Sequence, residues 1–376
     1  MSDEPRGRHS RPDDETRPID LGQRQVGREP VATDPEPAMA AALAVVERSL
    51  AAMANRVTRP VLDPPSQPFR LRPLGGTGLA VFPVVLDASR LDRAADRTSA
   101  HRVLDAYAAA GGNALVVDDV ADGGTAELVG TWLASRKRRE QTVLAARVGT
   151  ASELTAGGLN TSVDRLLRRL GTDQIDVLLL KGHDRAVSME ETLTAVAGLR
   201  DDQRIGHLGA GDHSPERLIQ ARVLSGQRGL PRFEIAAPVH SLVKRAEYET
   251  GVGPVVHAQE LACLPRSPLD GGFLAAAVPT RGALRRLREL DPERAERLQP
   301  SLTRRGMRIV DAVVRIAEER GVPAASVALG WLLTRPHITA PIVTATTVEQ
   351  VWAATAAAGV HLTRSEVTGL ERASAE

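Results

Sequence analysis

Residues 165–184 read RLLRRLGTDQIDVLLLKGHD. A helical pattern over 161–170 gives way to a short apolar run over 174–180, which then stops at charged and polar residues. Runs of Val, Leu, Ile and Ala without polar alternation suit strands buried on both faces, which implies parallel pairing with helices outside. The same alternation recurs outward in both directions. The expected strands are 81–85, 113–117, 142–147, 174–180, 204–209, 233–237, 261–264 and 339–343. The expected helices between them include 98–110, 125–137, 161–170, 188–200, 214–225, 303–320 and 347–358. Eight β-then-α units in one α/β chain are the arithmetic of a (β/α)8 TIM barrel. An open, doubly wound sheet is the alternative, but it wants a G-x-G-x-x-G turn after its first strand. Here Gly75, Gly76 and Gly78 precede the first barrel strand, in FRLRPLGGTGLAVFP at 69–83. That segment reads as a hairpin turn at the barrel bottom.

Composition narrows the function. The chain has 376 residues, with 48 Lys and Arg against 47 Asp and Glu, a formal charge of +1. That balance argues against nucleic-acid binding, which needs a clear basic surplus. The single cysteine, Cys263, excludes an intrachain disulfide and a Cys-rich metal site, and suits a reducing compartment. No apolar run approaches ~18 residues, so no membrane span is expected. The opening MSDEPRGRHSRPDDETRP carries no apolar signal region. The expected location is cytoplasmic.

Residues 1–35 are polar and aperiodic, and read as a disordered tail. Residues 36–68 read as a helix followed by a Pro-rich linker. Asp34-Pro35 opens the helix, and Met39, Leu43, Val46, Leu50, Met53 and Val57 form an a/d seam. The plainer expectation for that seam, 39–57, is docking on its own domain; binding a protein partner or self-association is the alternative. Pro60, Pro64, Pro65 and Pro68 end it. The barrel occupies 69–376.

The opening LGGTGLAVFPV resembles the start of the aldo/keto reductase family. The resemblance runs on through GGNALVVDDVADGGTAELVG at 111–130, QTVLAARVG at 141–149, RRLGTDQIDVLLLKGHD at 168–184 and RIGHLGAGDHSPERL at 204–218. It continues through SPLDGGFL at 267–274, RIAEERGVPAASVALGWLLTRPHITAPIV at 315–343 and TVEQV at 347–351. Structural positions that match include Gly112, Asn113, Glu127, Gly130, Asp176, Gly206 and Trp331. The resemblance implies a TIM barrel that reduces carbonyls with NADPH. In the family a Tyr acts as general acid, supported by a Lys paired with an Asp, and a His orients the carbonyl.

Those four positions are here Val116 for the Asp, Ala121 for the Tyr, Arg147 for the Lys and Lys181 for the His. Ala121 has no proton to give. The positions that the resemblance assigns to the cofactor have also changed. The Ser-Asn pair holding the carboxamide is Gly211-Asp212, the Gln is Ala237, and the aromatic that stacks on the nicotinamide is His240. The Gly-x-Arg-Thr segment at the adenosine phosphate reads Thr344-Ala345-Thr346-Thr347, without the charge-assisted Arg contact. Gln350 persists, and so do Ser267 and Leu269, whose plainer reading is a structural turn. NADPH binding is therefore expected to be weak or lost.

The barrel mouth would gather Asp118, Asp119, Asp122, Arg147, Lys181, His183, Asp184, Asp212, His213 and His240. Ion pairs filling a vacated pocket, such as Lys181 with Asp118 or Asp119, are the plainer expectation. No metal site is expected, since no tight ligand spacing occurs. The expected function is a catalytically degenerate member that binds a small ligand at the mouth or a partner. The alternative is an NADPH-dependent oxidoreductase using substitute residues, with Lys181 as proton donor. A new enzyme on the same mouth, such as a Schiff-base lysine at Lys181, is a further alternative.

Overall fold

The structure is a computed structural model, and it describes residues 69–94, 96–118, 124–149, 154–182, 187–275, 285, 288–289 and 292–375. The tail and the helix-and-linker segment expected over 1–68 lie outside the described residues. So do Asp119, Ala121, Asp122, His183 and Asp184.

A hairpin comes first. Strands β1 (Arg72–Pro73) and β2 (Ala80–Val81) pair antiparallel around a turn at Gly75–Thr77, with Gly78 in the left-handed region at φ 78. The turn expected from the glycine cluster is present. Eight parallel strands then follow: β3 (Val85–Asp87), β4 (Ala114–Asp118), β5 (Val143–Val148), β6 (Ile175–Leu180), β7 (Ile205–Ala210), β8 (Ile235–Ala236), β9 (Ala262–Cys263) and β10 (Ile342–Thr344). Their spatial order is sequential, with β10 beside β3. The ring closes where Thr339 N donates to Cys263 O at 2.8 Å and Ile342 N to Pro265 O at 2.7 Å. This is the (β/α)8 arrangement expected from the sequence.

Helices alternate with the strands. They are α1 (Arg97–Ala109), α2 (Gly124–Arg136), α3 (Ala156–Leu170), α4 (Met189–Asp201), α5 (Pro215–Arg228), α6 (Gly253–Ala258), α7 (Pro292–Leu298), α8 (Arg304–Arg320), α9 (Ala324–Thr334), α10 (Val348–Thr355) and α11 (Arg364–Ser374). Their ends follow local chemistry. The Thr155 side chain caps α3 by accepting from Gly158 N, and Gly171 closes it at φ 63. Among the described residues, no helix is long and apolar enough to cross a membrane.

Strand side chains alternate between two apolar layers. Val85, Ala114, Val116, Ala145, Val177, Leu179, Ile235 and Ile342 fill the barrel interior. Leu86, Leu115, Val117, Leu144, Ala146, Leu178 and Leu180 face outward and pack under the helices. Two residues on from the interior layer, at the C-terminal strand ends, the same parity brings Asp87, Asp118, Arg147, Lys181, Gly211, Ala237 and Thr344 to the mouth.

The first barrel strand corrects the sequence expectation. It is 85–87 and not 81–85, because Pro83 lacks the N–H a central strand must donate, and 80–81 belongs to the hairpin. Helix α3 begins at 156 and not 161. Helices α6, α7, α9 and α11 lie outside the expected set. In α9, residues 324–332 are all buried, so no polar face marks the period.

Candidate functional site at the barrel mouth

The strand ends bring four charges together. Arg147, at the end of β5, donates from Nη2 to both carboxylate oxygens of Asp87, at 3.0 and 2.9 Å. The same nitrogen reaches Ser89 Oγ at 3.1 Å. Its Nε donates to Asp118 Oδ1. Lys181 Nζ donates to the other Asp118 oxygen at 3.2 Å. Asp87 is held in turn by Ser89 N at 3.0 Å. Burial alone would lower the Arg147 guanidinium, but Asp87 and Asp118 together hold it above its ordinary value. Two cations face two carboxylates, so the cluster is formally neutral.

Arg147 and Lys181 therefore do meet, and the expected Lys181–Asp118 pair is present. Asp87 is the residue that sequence reasoning missed. It occupies the end of the shortened first strand, and a carboxylate closing the apolar run VVLD was the available signal. Val116 is fully buried in the apolar layer beneath this cluster.

The remaining positions are more scattered. Exposed Asp212 pairs with Arg266. Gly211 presses on the neighbouring strand: a Cβ there would sit 2.7 Å from Leu180 O and 3.2 Å from Lys181 Cα. A side chain has no room at position 211 in this arrangement. Ala237 is buried with the barrel interior. Ser267 is exposed with φ 53, and Leu269 packs against the outer core, as befits a turn. Asp270 next to them is buried and bonded to Ser301, and Lys244 lies 3.3 Å away. Exposed Thr344 stands at the end of β10. Gln350 Oε1 accepts from Thr346 N at 2.8 Å and Thr347 caps α10, so this segment is tied to its own helix start.

His240 lies in the outer core, away from the interior layer. Its ring is 1% exposed, stacks on Tyr248 with centroids 4.2 Å apart, and meets Trp331 edge-on at 5.5 Å. Neither ring nitrogen has a hydrogen-bond partner among the described residues. Nε2 lies 3.7 Å from Glu249, beyond hydrogen-bond reach. Burial pushes the imidazole down to about 4; Glu249 opposes this, and Arg335 and Arg245 add to it.

The two tyrosines of the chain are Tyr107 and Tyr248. Tyr107 is buried, and its hydroxyl donates to Val84 O at 2.8 Å and lies 3.0 Å from Ala114 O. Tyr248 is buried against His240 and Cys263. Burial raises both phenols well above the ordinary range. Burial also pushes the Cys263 thiol up to about 12, so it is no ready nucleophile. Among the described residues, no group of three or more His, Cys, Asp or Glu is placed to hold a metal ion.

Comparison with known proteins places this architecture. The model of the aldo/keto reductase family matches residues 87–375. A putative aryl-alcohol dehydrogenase of Saccharomyces cerevisiae is 25% identical, covering 83% of this chain and 89% of the relative. A norsolorinic acid reductase of Emericella nidulans is 26% identical over 73% of this chain and 72% of its own. An uncharacterized oxidoreductase of Bacillus subtilis, YrpG, is 26% identical over 74% of this chain and 87% of its own. The family model spans both the strand order and the mouth just described, and the chain belongs to the aldo/keto reductase family.

Proposed function

We propose that this chain keeps the family's barrel but not its carbonyl reduction, and serves as a binding scaffold that takes a small ligand at its mouth. The observation that carries this reading is the fate of its two tyrosines. Both are buried and engaged elsewhere, with phenols raised rather than lowered. A general acid needs its proton within reach of the substrate and a pKa near the working pH. Neither phenol meets that need, and Ala121 offers only a methyl group.

The mouth also fits the nicotinamide poorly. Arg147 is clamped between two carboxylates instead of standing beside a phenol. His240 stacks on Tyr248 and Trp331 in the outer core. Gly211 leaves no space for a side chain at its position. Weak or lost NAD(P)H binding follows on this reading, and no chemical step is routed through it. The 39–57 seam would serve self-docking or a partner, and the buried single thiol suits a cytoplasmic setting.

A second reading has one observation in its favour. The Lys181 side chain is 40% exposed at the mouth, and it is the described residue at a catalytic-tetrad position that combines solvent access with a transferable proton. NADPH-dependent reduction would then run through Lys181. Purified chain mixed with NADPH and a panel of aromatic aldehydes separates the two. The scaffold reading expects NADPH absorbance to stay at the rate of the enzyme-free blank. Steady oxidation that disappears in Lys181→Met would establish the second reading instead.

A further inference from the structure

A pair of histidines lies away from the mouth. His257 is near the end of α6, just before β9, and His337 follows α9, just before the segment that closes the barrel against β9. Both precede their strands, so they sit at the N-terminal end of the barrel, opposite the charged cluster. Their Nδ1 atoms are 3.2 Å apart. The rings lie nearly face to face, with centroids 3.7 Å apart and planes tilted by 40°. Without an ion, one ring can donate an N–H···N hydrogen bond to the other, with the donor set by the tautomer.

Two nitrogens bound at about 2.0 Å would stand about 2.8 Å apart in adjacent positions on a square-planar ion and about 3.3 Å apart on a tetrahedral one. The 3.2 Å between the two Nδ1 atoms lies between those values. The nearly stacked rings must splay apart before both lone pairs meet one ion, and both residues are exposed, so each side chain has room to swing. The backbone on each side is anchored. His337 sits in the left-handed region at φ 67, a conformation that a non-glycine residue keeps only when its surroundings impose it. The Arg72 guanidinium supplies part of that constraint, donating to the carbonyls of Leu333, Ile338 and Thr339. Residue 338 also bridges to Cys263 of β9.

We propose that His257 and His337 form a surface chelate for a late divalent transition-metal ion, copper(II), nickel(II) or zinc(II), across the seam where the barrel closes. Imidazole nitrogen suits these ions, and copper(II) binds most tightly of the three to a given nitrogen site. No third ligand is grouped with the pair among the described residues, so water completes the coordination. The ion would clip α6 to the closing segment and stabilise the folded chain by mass action.

The test uses the full chain without an affinity tag, stripped with a chelator and titrated with copper(II), nickel(II) or zinc(II) chloride alone. One ion should bind per chain, copper(II) most tightly, and the thermal unfolding midpoint should rise with its concentration. His257→Ala and His337→Ala should each weaken binding at least ~10-fold by removing one of two ligands. His361→Ala, another exposed histidine, should leave it unchanged. Electron paramagnetic resonance of the copper-loaded native chain should show splitting from two nitrogens, a readout that needs no variant. Undiminished binding in the double variant, oxygen-only coordination in the spectrum, or no saturable binding by about 1 mM would overturn the proposal.

Discussion

Arg147 shows how one buried cation organises its neighbours. Its side chain is 15% exposed, so its charge depends on close partners, and Asp87 supplies two of its hydrogen bonds. Removing one partner of a buried pair costs far more than the pair gains. Asp87→Asn should lower the unfolding free energy by about 3 kcal/mol, read by urea denaturation at neutral pH. A loss below about 1 kcal/mol, the worth of an exposed pair, would show the cluster to be solvated. His240 gives a second prediction. Its folded value of about 4 lies below the ordinary 6.5, so the unfolded chain takes the proton more readily. The neutral ring's contribution is whole above pH 6.5 and drains away as the pH falls towards 4. His240→Phe keeps a ring on Tyr248 and removes two buried nitrogens that have no hydrogen-bond partner among the described residues, so it should cost little at pH 7.5. It should also remove about 2 kcal/mol of the stability that the parent loses between pH 7.5 and 5. Identical pH dependence in parent and variant would contradict this placement of His240.

At the scale of elements, helix contacts turn on small residues. A Cβ on Gly130 of α2 would sit 2.5 Å from Leu170 O at the end of α3. Backbone cannot retreat as a side-chain tip can, so Gly130→Ala should force α2 and α3 apart and cost ~1–3 kcal/mol. An unchanged thermal midpoint would show that the two helices pack less closely than this. The strands were legible in the sequence because a run buried on both faces advertises itself, and Ile175–Leu180 lies within the expected 174–180. The charges at the ends of β4, β5 and β6, Asp118, Arg147 and Lys181, were legible as mouth residues, and the Lys181–Asp118 pair was expected. Asp87 was not, because the expected first strand stopped at 85. The hairpin's use of 80–81 further displaced the expected first strand, and with it Asp87. The burial of His240 depends on Tyr248 and Trp331, eight and 91 positions away, so no local pattern reveals it.

Over the whole molecule, two ends of one barrel carry different chemistry. The N-terminal end holds the hairpin and the closing seam. The C-terminal end, where barrels of this kind place their chemistry, holds a neutral quartet of charges over an apolar interior. The scaffold is that of the aldo/keto reductase family, and the proposed change of role rests on what fills its mouth. Isothermal titration of NADPH into the purified full chain tests this most directly. The account predicts no saturable heat up to about 1 mM cofactor, the regime of about −4 kcal/mol or weaker. A one-to-one isotherm with a Kd near 1 μM, about −8 kcal/mol, would contradict it.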